Sequence, residues 1–124
     1  MAAASGDGIA NRRVSGESMG IDEQTVREIV RRILSVTRPD KIILFGSAAT
    51  GEMTADSDVD LLIVEPDIPD RRAEYVRVRR ALGGLKYPFD ILFISTDRFE
   101  RSKDVIGGLA YPADKYGRVI YEAA

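Results

Sequence analysis

Apolar and polar residues follow one another along this chain in two different periods, and the switches between them mark the elements. From Asp22 the period is helical. Val26, Ile29, Val30, Ile33 and Leu34 fall at i, i+3, i+4, i+7 and i+8, one stripe on one helix face. Asp22 is a natural N-cap, and Pro39 is expected to end the helix by disfavouring helical geometry at Arg38. The pattern then changes to short continuous apolar runs of strand length. Lys41–Phe45 (KIILF) is stopped by Gly46-Ser47, and Val59–Val64 is closed by Pro66 and Pro69. Between them, residues 48–57 have no clear period and read as a loop or short helix. A second helix is predicted over Asp70–Leu82, with Ala73, Val76, Arg77 and Arg80 at helical spacing and Gly83-Gly84 as its stop. Phe89–Ser95 (FDILFIS) is the third strand. Thr96–Tyr116 is mostly helical in pattern, interrupted at Gly107-Gly108 and Pro112, and the chain closes on a short strand within Gly117–Tyr121. The order α-β-β-α-β-α predicts an α/β (α+β) fold, a small mixed β-sheet covered by helices.

Residues 1–20 lack any such period and carry four of the eleven glycines, so they read as a disordered leader without net charge. Residues 21–124 are then a single domain, since about a hundred residues supply one core and not two. No apolar run approaches the ~20 residues that cross a bilayer, and a cytoplasmic protein without membrane contact is expected.

Charge and composition narrow the chemistry. Eighteen Lys plus Arg face twenty Asp plus Glu, a net charge of −2, which argues against general DNA binding. The chain has neither cysteine nor histidine. Thiol nucleophiles, zinc fingers and histidine bases are therefore excluded. Catalysis must run on carboxylates, hydroxyls, amines, guanidinium groups and bound metal.

The acids are placed to do so. Asp58-Val59-Asp60 and Asp90 each precede an apolar run, which means strands with buried bodies and acidic first residues at the rim. A helix connects these two strands, as parallel neighbours require, so Asp90 should lie beside Asp58 and Asp60. The short link from the first strand favours an antiparallel pair, which returns Gly46-Ser47 to the same rim. Three carboxylates that close need a cation, and oxygen-only ligands point to Mg²⁺ or Mn²⁺. A Gly-Ser turn with free backbone N–H groups is a usable phosphate contact. These parts suit metal-assisted displacement at phosphorus.

Gly46-Ser47, ten residues, then Asp58-Val59-Asp60 resembles the signature of the DNA polymerase beta-like nucleotidyltransferases, and more narrowly of their minimal nucleotidyltransferase (MNT) branch. The resemblance runs from about Thr25 onward and includes Ser57–Leu62, Phe89-Asp90-Ile91 and the closing Gly117–Glu122. It implies that Asp58, Asp60 and Asp90 are both metal ligands and catalytic residues, with Asp90 helping to deprotonate an acceptor hydroxyl. It implies that Gly46 and Ser47 hold the triphosphate of ATP. Minimal members are often encoded beside a small helical HEPN protein and adenylylate a tyrosine of it, acting as antitoxin. The expected activity is thus AMP transfer from ATP to a hydroxyl of a HEPN-type partner. The alternatives are a non-catalytic antitoxin of the same fold and a transferase acting on a small molecule or RNA end. A chain this short has no acceptor domain of its own, so a partner or a homo-oligomer is expected. One departure stands out: Thr50 occupies a position where members commonly carry arginine, which predicts weakened triphosphate binding.

Two other features read more plainly. The stretch from Arg71 to Lys86 has six bases and one acid, Glu74, and is taken as a solvated face, with docking of an acidic partner or RNA phosphates as the alternative. Tyr111, Tyr116 and Tyr121 are taken as core packing or a subunit contact.

Overall fold

Asp22 starts the first helix as its spacing predicts: its carboxylate accepts from the Thr25 backbone N–H at 2.8 Å. In the computed structural model, which describes residues 21–46, 58–103 and 117–124, helix α1 is Glu23–Leu34. It ends four residues before the predicted stop. Ser35 Oγ turns back to donate to the Arg32 carbonyl, and the Thr37 N–H bonds to Ile33, so a local turn ends the helix before Pro39 can. Strand β1 (Lys41–Phe45) follows, then β2 (Val59–Glu65), helix α2 (Arg71–Ala81), β3 (Phe89–Ser95), helix α3 (Thr96–Ser102) and β4 (Arg118–Glu122). The predicted leader, the 48–57 segment and Gly107-Gly108 through Tyr116 lie outside the described residues.

The four strands form one mixed sheet in the order β3-β2-β1-β4. β1 pairs antiparallel with β2, and β2 and β3 run parallel, as their connections predict; β1 also pairs antiparallel with β4. β2 is an interior strand and is buried along its apolar body.

Alternation sends its residues to two different layers. Val59, Leu61 and Ile63 pack with Ile42, Leu44, Ile91 and Phe93 under α1 and α2, which contribute Val26, Ile29, Ile33 and Val78. Leu62 and Val64 face the other way, with Ile43, Ile94 and Phe99 of α3. Side chains of this kind stabilise by about 1.5–3 kcal/mol each when fully buried. Among the described residues, most of that burial lies on the α1–α2 side. The two helices are also tied by Arg32, which donates to the Gly83 carbonyl at 2.6 Å, beyond the end of α2.

Helix α2 turns the residues whose spacing marks it as a helix outward. Its buried side chains are Glu74 and Val78, whereas Ala73, Val76, Arg77 and Arg80, the spacing singled out above, are exposed. An acid occupies the inner face because β2 ends in another acid. Thr37 Oγ1 sits between Glu65 Oε2, at 2.7 Å, and Glu74 Oε2. A hydroxyl has one hydrogen and cannot donate to both, so one carboxyl must keep its proton. That carboxyl is Glu65: burial, reinforced by the neighbouring Glu74, pushes it up to about 7. Burial acts on Glu74 in the same sense, but hydrogen bonds from Glu65, Thr37 and Arg77 outweigh it and hold Glu74 below its ordinary value.

The sign follows from linkage. The native state holds a proton on Glu65 that the unfolded chain releases near 4.5, so stability is greatest below that pH for this group and falls as pH rises toward 7. Glu65→Gln, which keeps a donor toward Glu74 and carries no charge, should flatten this fall and stabilise the protein at pH 8 by on the order of 2 kcal/mol. Urea melts at pH 5, 6, 7 and 8 check it. A wild-type slope that survives the substitution would assign the proton elsewhere.

Candidate active site

Antiparallel pairing sets Phe45, the last residue of β1, opposite Asp60, and parallel pairing sets Asp90 opposite Asp60 on the other side. All three follow from one register. Asp60 is even-numbered on a strand whose odd residues enter the α1–α2 core, so its carboxyl emerges on the α3 side of the sheet, as does that of Asp90. Asp58 lies two residues before Asp60, at the mouth of the strand, and is exposed.

The chain turns immediately after Phe45, and the turn requires glycine for two reasons. Gly46 has φ +68°, the left-handed region. A Cβ built there would also overlap Oδ2 of Asp60 and lie 3.2 Å from its Cγ. The backbone of this turn therefore rests directly on the carboxylate, a contact that no side chain but hydrogen permits.

Asp60 is under electrostatic pressure. Its carboxyl is raised above the ordinary range, first by burial, then by the charges of Asp90 and Asp58, and finally by a hydrogen bond with Asp90. The structure thus brings Gly46, Asp60 and Asp90 together and keeps Asp58 within electrostatic reach. Ser47 and Thr50 lie outside the described residues. Among the described residues, no three His, Cys, Asp or Glu side chains converge as a finished cation cage. The Asp60–Asp90 pair offers oxygen donors alone, and its repulsion is of a kind that a hard divalent cation would relieve.

The family of proteins described as the nucleotidyltransferase domain matches residues 23–110, which includes the Gly46 turn and all three acids. The chain belongs to this family. A Methanocaldococcus jannaschii protein named "putative protein adenylyltransferase" is 47% identical over 45 residues, which span 35% of this nucleotidyltransferase and 45% of that relative. The match thus spans under half the length of that relative. Two crystal structures share the fold. A toxin-antitoxin with AMP-PNP superposes with TM-score 0.59 at 18% identity, over 79% of this chain and 73% of that one. A mutant of the toxin-antitoxin MntA-HpeT superposes with TM-score 0.57 at 17% identity, over 83% and 75%. The fold is that of the polymerase beta-like nucleotidyltransferases, as the resemblance carried by Gly46-Ser47 and Asp58-Val59-Asp60 implied.

Three residues take places that their sequence did not show, one beside the acids and two at the far end of β2. Phe45 was legible only as an apolar strand residue, because its place opposite Asp60 depends on register. Glu65 and Glu74 carried a signal that could have been read: an acid ending a fully apolar strand needs a partner if it is buried. No helix among the described residues is long and apolar enough to cross a membrane.

Gly46 gives the sharpest test of this geometry. Gly46→Ala should destabilise the domain by about 1–3 kcal/mol through left-handed strain alone, and displace Asp60 as well. Carboxyl ¹³C NMR should show the Asp60 titration moving relative to wild type. An alanine variant of unchanged stability and unchanged Asp60 titration would mean that the turn does not rest on the carboxylate.

Proposed function

We propose that this nucleotidyltransferase moves AMP from ATP to a hydroxyl of a protein acceptor, a HEPN-type helical partner, and so serves as an antitoxin. The observation that carries the reading is the Gly46 backbone seated on Asp60, which in turn faces Asp90. Backbone N–H groups of the Gly46-Ser47 turn would bind phosphate oxygens beside the acids. Asp58, Asp60 and Asp90 would hold Mg²⁺ or Mn²⁺, since their donor set is oxygen alone. When bound, the cation neutralises the carboxylates and polarises the phosphoryl oxygens.

The transfer balances simply. The acceptor oxygen forms a bond to the α-phosphorus, the bond from that phosphorus to the β-phosphate oxygen breaks, and pyrophosphate leaves. The acceptor proton passes to Asp90, whose carboxylate is exposed at the rim. An ATP donor fits a reaction in the cytoplasm, which is where this reading sets it. A protein acceptor is supported by the name of the archaeal relative, and a toxin-like partner by the two toxin-antitoxin complexes that share the fold.

Mg²⁺ with ATP should raise the melting temperature, because only the native state binds them. Asp58→Ala and Asp60→Ala should each remove most of that shift. With a cognate HEPN protein, ATP and Mg²⁺, mass spectrometry should find AMP on a partner tyrosine with wild type and none with the double variant. The segment Ser47–Asp60 holds four acids and no base, which keeps a second reading in view, neutralisation by binding alone. Equal neutralisation of the partner by wild type and the double variant would establish that second reading.

Thr50 offers a neutral hydroxyl where an arginine would offer a fixed charge. Charge-assisted hydrogen bonds exceed neutral ones by on the order of 1–2 kcal/mol, so Thr50→Arg should tighten ATP binding roughly five- to thirtyfold. Calorimetry at fixed Mg²⁺ measures this. Unchanged affinity would mean that the charge is supplied from elsewhere.

A further inference from the structure

Strand β3 is the terminal strand of the sheet, and beyond it no described strand pairs with it. The Pro88 carbonyl receives the Val59 N–H, which fixes the alternation: backbone groups of Asp90, Leu92 and Ile94 face β2, and those of Phe89, Ile91 and Phe93 face outward. Long, apolar, open edges are normally blunted, because they pair with whatever backbone arrives. Here the blunting is partial. Arg71 of α2 donates to the Phe93 carbonyl, and Arg79, two turns later, to the Phe89 carbonyl at 3.3 Å. Between them, the Ile91 N–H and C=O and the Phe93 N–H have no partner among the described residues.

A groove of about 460 Å³ runs along this edge, floored by Ile91, Leu92 and Phe93 and walled by Arg71, Arg72 and Tyr75. Tyr75 is 38% exposed although aromatic. The wall is strongly basic. The acid within α2, Glu74, is buried and already paired with Arg77, while Arg72 has no ion pair among the described residues. At the first end of the same strand stands Asp90.

We propose that the open edge of β3 and its arginine-walled groove are the docking strip for an extended, acidic segment of the protein acceptor, which adds to the sheet as a fifth strand. This rests on the reading that the acceptor is a protein. Only a polypeptide backbone matches the alternating donors and acceptors of Ile91 and Phe93. Apolar side chains of the segment enter the groove beside Tyr75, and its acids meet Arg72 and Arg71. Neighbouring strands lie about 4.8 Å apart with facing residues on the same side of the sheet. A strand added here sets one of its side chains opposite Asp90, on the face where Asp60 and Asp90 meet. Docking and presentation of the hydroxyl are then one event.

A random copolymer of Glu and Tyr, with a Lys–Tyr copolymer as contrast, tests this on the full chain. The Glu–Tyr polymer should bind and slow hydrogen exchange at the Ile91 and Phe93 amides, and the Lys–Tyr polymer should do neither. Arg72→Glu and Tyr75→Ala, both exposed, should each weaken binding about tenfold, and with ATP and Mg²⁺ should raise KM for the polymer with little change in kcat. Amide protection without any AMP transfer would leave the strip standing and overturn the transfer reaction. AMP transfer with unprotected Ile91 and Phe93 amides, and with KM unmoved in Arg72→Glu, would overturn the strip and leave the reaction. Protection that appears without polymer and grows with protein concentration, alongside a dimer in sedimentation, would assign the edge to a second copy and overturn the proposal.

Discussion

The register of β2 is the constraint on which the rest of this molecule depends. The strand is interior, with β1 on one side and β3 on the other, and alternate residues serve two unlike layers. In the observed pairing Asp60 meets Phe45 and Asp90 at once. A slip of one residue would send Asp60 into the α1–α2 core and bring Val59 and Leu61 out onto the rim. The apolar run from Leu61 to Val64 therefore fixes the chemistry at its start through burial alone. No hydrogen bond to the site is needed to specify where the carboxylates lie.

β2 carries an acid near each end, and both are raised for the same first reason, burial. Their surroundings then diverge. Glu65 is 3% exposed and closed in by Thr37 and Glu74, so a retained proton satisfies it. Asp60 faces two further carboxylates and a bare backbone turn, and no arginine or lysine among the described residues acts on its charge. The sealed end serves folding, and the open end holds a repulsion that the cation and phosphates of the proposed reaction would relieve.

Much of this was legible from residue order. Asp22 had to cap α1, the acid-then-apolar runs had to be strands with acidic mouths, and the helical link between them had to make β2 and β3 parallel. Those three inferences rest on local sterics and connection length, which a sequence displays directly. The facing of α2 was not legible in the same way. Helical spacing at Ala73, Val76, Arg77 and Arg80 gives the helix but not its inner face, and Glu74 and Val78 are the buried pair. That facing depends on Thr37 and Glu65, residues distant in sequence whose shared proton makes a carboxylate acceptable inside. The early end of α1 at Leu34 is of the same kind, since Ser35 and Thr37 take up carbonyls that a reading based on Pro39 leaves to the helix. Long-range polar compensation is invisible to periodicity.

The two faces of the sheet divide the work unequally. Among the described residues, thirteen buried side chains form the layer under α1 and α2 and five form the layer under α3, the side on which Asp60 and Asp90 emerge. Packing a second full layer over Asp60 and Asp90 would bury charges that have no basic partner among the described residues, at several kcal/mol per ion. Helix α3 is accordingly short, seven residues, and its buried Phe99 packs with Val64 and Ile94 at the far end of the strands. The mouths of β2 and β3 are left uncovered by it. Because β3 is also the sheet's outer strand, the open face and the open edge meet at Asp90. Access to the carboxylates is thus a consequence of where the core can afford to be thick.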